Sequence, residues 1–524
     1  MRGLTAFADS LGIGERSATP HPTALRAATI SRKGRGFLAL LLALLAFPAF
    51  AQQRPPDVTL TGVMTGRDHQ TYRELPFRAP PGLTRITVEV THTGQAERSV
   101  IDVGLRDPQR PRGWSGGDKT RFTLSATDAT PSYLPGPLPA GEWRLILGVP
   151  NLRKSARAEY RARIWFDRGP ASTALSDGPI RTGLAWYRGD LHMHTAHSDG
   201  ACASRRGRRV PCPVFKTLEA AEARGLDFIA VTDHNTTSQT DVLRELAPYF
   251  DDLLLIPGRE ITTFHGHANV FGPTGPIDFQ LGSSHAPDVA AIQSEVERAG
   301  GLFSINHPGL PSGEACMGCG WTAATEFSRV QAIEVENGGA LRASGGRDAL
   351  SGLAFWEARL NAGDRIAAIG GSDNHDATLP ASEPSSVGYP TTVVHAPELS
   401  QRAILAAIRA GHVFVDVQGT RDRLLDVTAE SSGRTAGMGD VLAAPAGARV
   451  SVRVQVAHAE GGRIALAGDI PFNVVDRPLD SADEVRTFDI VADGRRHWLR
   501  VDVRGPDGRL WLLGNPIYFD TVRP

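Results

Sequence analysis

The stretch Val214-Phe-Lys-Thr-Leu-Glu-Ala-Ala-Glu-Ala-Arg-Gly-Leu-Asp-Phe-Ile-Ala-Val-Thr-Asp-His-Asn235 carries the reading of the fold. Its first half places Val214, Leu218 and Ala221 on one helical face, and Gly225 is suited to end that helix. From Asp227 it becomes a short apolar strand that closes on Val-Thr-Asp-His-Asn. Helix and strand in such alternation are the unit of a parallel α/β sheet, open or closed into a barrel. The same texture extends over residues 186–418. Strands are predicted at Leu302-Phe-Ser-Ile305, Ala332-Ile-Glu-Val335 and Ile366-Ala-Ala-Ile369. A helix with Val289, Ile292 and Val296 on one face has Asp288 as its N-cap.

On either side the period changes to two. Over 52–185, the sets Ile86/Val88/Val90, Trp143/Leu145/Leu147 and Tyr160/Ala162/Ile164 alternate between turn signals such as Pro81-Gly82 and Pro135-Gly136. This predicts an N-terminal antiparallel β-sandwich. Over 419–524, Val450/Val452/Val454/Val456 and Leu499/Val501/Val503, followed by the turn Pro506-Asp-Gly508, predict a second β-rich domain. A length of 524 residues, 41% apolar, leaves room for about two to four domains. The charge is balanced, 56 basic against 57 acidic residues, which argues against a general nucleic-acid or anionic-membrane surface.

Arg32, Lys33 and Arg35 precede the apolar run Phe37–Phe47, and Ala49-Phe-Ala51 follows. A basic flank, a short apolar core and a small-x-small site predict a signal peptide over 1–51, cleaved after Ala51, and hence a periplasmic or secreted protein. The run is shorter than the ~20 residues of a membrane span, so none is expected after cleavage. Export makes disulfides the preferred reading of Cys202, Cys212, Cys316 and Cys319. Four cysteines allow three pairings, and the choice stays open. Cys316-Met-Gly-Cys319 also has the spacing of a redox motif or half a zinc site, but its flanks, Gly309 to Gly320, read as loop.

The chemistry is concentrated at five predicted strand ends. They are Asp190-Leu-His-Met-His-Thr-Ala-His-Ser-Asp199, Thr232-Asp-His-Asn235, Glu260-Ile-Thr-Thr-Phe-His-Gly-His267, Asn306-His-Pro308 and Ser372-Asp-Asn-His375. His192 and His194, like Asp373 and His375, stand two apart, so their side chains point the same way and can reach one ion. In an α/β fold, carboxyl ends of strands are where active sites gather. Imidazole and carboxylate without thiolate suit Zn, Mn or Fe. The flanking β regions carry only isolated histidines such as His69, His92, His458 and His497, so the clustering is not a matter of composition.

In order, spacing and residue type, these segments resemble the motifs of the polymerase and histidinol phosphatase (PHP) superfamily, over roughly the middle 230 residues. The longer pattern, with a β domain ahead of the PHP region, is similar to the carbaryl-hydrolase-like CehA/McbA group. The resemblance implies an α/β PHP-type distorted (β/α)7 barrel holding two or three divalent metal ions. It implies that His192, His194, Glu260 and Asp373 hold one ion, and that Glu260 bridges to a second bound by His267 and His307. Asp199, His234 and His375 would form a third site; the family places His or Asp at the position of Asp199. His265 is an additional histidine, read as facing substrate or supporting a ligand. Asp190 and Asp233 are expected to orient imidazoles.

Such a site implies a hydrolase that uses a metal-bound hydroxide. The resemblance to the superfamily favours a phosphoester; a carbamate or carboxylic ester of a small molecule is the alternative, and a non-enzymatic, metal-stabilised binding protein is the second. Arg259, Asn337, Arg342 and Arg347 are the candidate substrate contacts, the arginines because phosphate oxygens attract fixed cations. A Walker-type phosphate loop is missing from the sequence, and no Ser-His-Asp order built on a G-x-S-x-G elbow appears in it.

Overall fold

A computed structural model of the chain describes residues 54–117, 119–169, 173–314, 316–469 and 477–520; the segment 1–51 expected to be a signal peptide lies outside them. The alternating segments of the first part form two four-stranded antiparallel sheets. One orders Val58–Thr65, Arg157–Asp167, Arg85–His92 and Arg121–Ser125; the other orders Tyr72–Ala79, Gly141–Asn151, Val100–Arg106 and Pro111–Trp114. Their inward residues, among them Ile86, Val88, Trp143, Leu145, Ala162 and Ile164, bury one shared core.

A loop of this sandwich docks on the segment that follows. Asp128, fully buried, pairs with Arg85 of its own sheet at 2.9 Å and with Arg244 of the Gln239–Leu246 helix. Burial pushes the Asp128 carboxyl up, but Arg244 and Arg85 outweigh it and hold it below the usual carboxylate range.

The centre is one large mixed sheet. From one edge its strands are Ala367–Gly371, Ala332–Asn337, Leu302–Ile305, Gly266–Phe271, Leu254–Thr263, Phe228–Val231, Arg181–Asp190, Thr391–Leu399 and Val413–Asp416. It then continues into strands from the C-terminal part through the pairing of Val413–Asp416 with Leu510–Gly514. A third four-stranded antiparallel sheet, centred on Leu424–Ser431 and Arg449–Ala457, packs Val450, Val452, Val454 and Val456 against Val501, Val503 and Phe414.

This corrects the expected (β/α)7 barrel. The described residues are mostly β, with six α-helices and no such barrel. Parallel pairs occur, as between Phe228–Val231 and Leu254–Thr263, but the parallel run is interrupted. Leu254–Thr263 turns straight back into the antiparallel strand Gly266–Phe271, which pairs antiparallel again with Leu302–Ile305. Thr391–Leu399 also runs antiparallel to its neighbours. A strand buried on both faces is apolar throughout, and that composition does not reveal its direction.

Local readings survive where they rest on local physics. The Val214–Arg224 helix buries Val214, Leu218 and Ala221 and ends on Gly225 in the left-handed conformation. Asp288 accepts a hydrogen bond from Ala291 N at 2.8 Å, capping the Val289–Arg298 helix. The unpredicted feature that matters most is the curl of the sheet. Its edge strand Ala367–Gly371 comes back against Thr391–Leu399 through Thr392 Oγ1, which receives Gly370 N at 2.9 Å and donates to Gly370 O at 2.6 Å. Just beyond, Asp373 N donates to His192 O at 2.8 Å and His194 N to Asn374 O at 2.8 Å. Strand ends far apart in the sheet order therefore meet.

Candidate metal centre

Glu260, 1% exposed near the end of the Leu254–Thr263 strand, is the middle of the site. Its Oε1 lies 3.4 Å from His192 Nε2, 3.3 Å from His267 Nδ1 and 3.4 Å from His307 Nε2. Its Oε2 lies 3.6 Å from His194 Nε2 and 2.8 Å from His234 Nδ1. The hairpin register explains two of these contacts. Thr262 pairs with His267 and Ala268 with Ile305, so His267 on one strand stands beside His307, two residues past the end of the next.

Asp373 forms the second focus, with Oδ1 3.3 Å from His192 Nε2, 3.2 Å from His194 Nε2 and 3.7 Å from His375 Nδ1. Asp199 forms a more exposed third, 3.4 Å from His375 Nε2 and 3.6 Å from His234 Nε2. All nine residues proposed as ligands thus fall into overlapping groups whose donor atoms lie within 4.8 Å of one another. Asn235, His307 and Asp373 all have positive φ, at 52°, 28° and 51°. Backbone strain of this kind persists where surrounding structure enforces it, and it collects at functional sites.

Buried His/Asp/Glu clusters here could hold a metal ion. The electrostatics fit one. Burial pushes the Glu260 carboxyl up, yet His192 and the other imidazoles around it hold it well below the usual carboxylate range. The same balance holds for Asp373. For His375, burial lowers the pKa, but Asp199 and Asp373 overcome it and raise it to about 9. His194 goes the other way, down to about 4, chiefly through burial. Buried carboxylates demand positive charge; divalent ions would supply it and leave the imidazoles neutral, the form that ligates. Two buried atoms that face the centre, His192 Nε2 and Glu260 Oε2, have no hydrogen-bond partner, an expensive arrangement that coordination would relieve.

A residue that went unremarked in the sequence holds the ligands in place. Glu334, buried within the Ala332–Asn337 strand, accepts His192 Nδ1 at 3.0 Å, His307 N at 3.0 Å and Asn337 Nδ2 at 3.0 Å. A carboxylate on a ligand imidazole sets the ring's tautomer and direction. The only signal was a charged residue inside an apolar run. Asn306 Nδ2 likewise donates to Glu260 Oε1 at 2.9 Å.

Asp190 and Asp233 do not orient imidazoles as expected. Asp190 receives backbone amides of His192, Ser372 and Gly388, and Asp233 receives Thr195 N, Thr195 Oγ1 and Ser198 Oγ. Both brace the loops instead. Arg259 is buried with its guanidinium on the carbonyls of Pro273 and Gly275. Asn337 is buried too, between Glu334 and Asp373, while capping the short Gly338–Ala343 helix. Arg342 and Arg347 are exposed, and His265 is exposed at the hairpin tip beside Phe264.

The cysteines pair Cys202 with Cys212 and Cys316 with Cys319. Comparisons with protein-family profiles and with curated proteins gave no match.

Proposed function

We propose that the chain is a metal-dependent hydrolase of ester-type bonds in small molecules, akin to PHP-superfamily metallohydrolases in its ligand motifs alone. The observation that carries this reading is one buried carboxylate, Glu260, within 3.6 Å of five imidazoles delivered by separate strands and loops. Two or three Zn, Mn or Fe ions suit this donor set, held by His192, His194, Glu260 and Asp373, by His267 and His307, and by Asp199, His234 and His375. Bound there, such ions supply an activated water and positive charge for the oxygens of the electrophile. The protein's own part is to hold direction: Glu334 fixes the ring of His192, and Asn306 fixes the carboxylate of Glu260. Export by the 1–51 segment belongs to the same proposal.

A phosphoester is the first substrate class. A carboxylic or carbamate ester is the second reading, and the surroundings of the site favour it. Among the described residues no Lys or Arg pairs with Glu260, Asp373 or Asp199, and Arg259 is committed to main-chain carbonyls. Phe264, next to His265 at the hairpin tip, is 89% exposed, and Met317, whose carbonyl lies 3.3 Å from His267 Nε2, is 74% exposed. The test is a screen of phosphomonoesters, phosphodiesters, carboxylic esters and carbamates with Mn or Zn added. Turnover of one class is expected, lost on chelation and regained with metal. Full turnover by chelated, metal-free protein would overturn the reading, and metal-loaded protein inert to every class would point to the binding-protein alternative.

His265→Ala should keep the wild-type metal content and raise KM more than it lowers kcat, since the ring stands at the exposed tip outside the ligand groups. Metal analysis and steady-state kinetics check this; loss of metal from the variant would contradict it.

A further inference from the structure

The loop from Gly309 to Gly320 closes one side of the centre. Met317 O lies 3.3 Å from His267 Nε2. Gly318, at φ +83°, sits so close to the hairpin that a β-carbon there would meet the Thr263 carbonyl. Ser312 Oγ receives Gly318 N at 3.0 Å, and Gly313 and Cys316 exchange backbone hydrogen bonds at 3.0 and 3.1 Å. The loop is therefore held in place rather than draped.

This fit presses Cys319 inward. Cys319 is 0% exposed, and its Sγ lies within 4.8 Å of ligand nitrogens of His267 and His307, themselves mutually within that distance. Its disulfide partner Cys316 is half-buried. One sulfur of the bridge thus lies beside the centre, and the other belongs to a residue that keeps some exposure. His307 also belongs to the group of His192 and Glu260, so the sulfur adjoins the ligand set. A disulfide sulfur is a poor ligand, whereas a thiolate is a strong one for Zn and similar ions.

We propose that Cys319 is a ligand uncovered by reduction: cleavage of Cys316–Cys319 adds a thiolate to the ion held by His267 and His307. The proposal rests on the metal-centre reading given above. The reductant is a dithiol. Its thiolate attacks Cys316 Sγ, the S–S bond breaks, and the electron pair leaves on Cys319 Sγ beside the cation. The second thiol of the reductant then displaces Cys316, leaving the dithiol oxidised to a disulfide and the chain reduced by two electrons. Of the two protons released by the dithiol, one ends on Cys316 and the other goes to solvent, because Cys319 remains a thiolate. Imidazole and carboxylate thereby gain a soft third partner, which shifts the preference of this position toward Zn and away from Mn.

The test loads the full chain with cobalt(II), treats it with a water-soluble phosphine, desalts it under nitrogen and reads the near-ultraviolet absorption. A sulfur-to-cobalt charge-transfer band should be missing from oxidised wild type and appear on reduction. It should be present without reductant in Cys316→Ser, and missing from Cys319→Ser before and after reduction. Cobalt that binds wild type with no such band after reduction overturns this proposal and leaves the metal centre standing. A band that persists in reduced Cys319→Ser assigns the sulfur elsewhere and also overturns it. Failure of both oxidised and reduced wild type to bind cobalt overturns the metal centre and this proposal together.

Discussion

Glu260→Gln should leave the protein short of at least one divalent ion per chain and lower kcat about 100-fold or more, beyond the range usual for residues that merely support a ligand. The amide keeps the size of the side chain, so packing against Asn306 is little disturbed. What it removes is the negative charge that faces His192, His194, His234, His267 and His307 at once. Two cations a few ångströms apart repel strongly in a buried setting, and an anion between them offsets that repulsion. A neutral amide offers one acceptor oxygen where the carboxylate offers two. Metal content per chain, measured beside kcat, checks the expectation. A variant that stays fully loaded and active would remove Glu260 from the bridging position.

The second large effect concerns stability. Asp128→Asn should lower the unfolding free energy by about 3–5 kcal/mol, the usual cost of removing one partner from a buried ion pair. Arg85 and Arg244 converge on this carboxylate, and all three side chains are at most 10% exposed. Without it, two guanidinium groups remain buried without their counter-charge. Denaturant midpoints of the two proteins, at unchanged slope, give the difference. The pH dependence has a definite sign. The Asp128 pKa is depressed in the folded state, so its contribution is complete above the unfolded carboxylate value of about 4 and disappears as pH falls through the folded value. The gap between wild type and variant should therefore narrow in acid. A gap below about 1 kcal/mol at neutral pH would place this triad with ordinary surface pairs.

Much of the centre could be read from the chain because its logic is local. Histidines two apart on an extended segment share a side, and apolar runs ending in Asp-His-Asn or Asn-His-Pro mark strand ends. That periodicity and the chemistry of imidazole and carboxylate marked the five clusters; the choice of nine ligands within them came from the resemblance of their motifs. Helix ends were equally legible, since Gly225 and Asp288 act through their own backbone and nearest neighbours.

What escaped the sequence is what depends on partners far along the chain. Leu302–Ile305 is buried on both faces, and that pattern is identical for a strand running either way. The tight turn at Phe264-His265, with no helix between its strands, made the sheet mixed. The roles of Glu334 and Arg259 were hidden because a buried charge is defined by what it meets: imidazole for the first, main-chain carbonyls for the second. The pairing of Cys316 with Cys319, and the placement of Cys319 against His267 and His307, likewise needed the loop in position. Residue types and spacing determined which side chains were fit to hold a metal. Only the curl of the sheet, which lays Asp373 beside His192, decided that they stand around one point, because that closure depends on pairing between strands nearly two hundred residues apart.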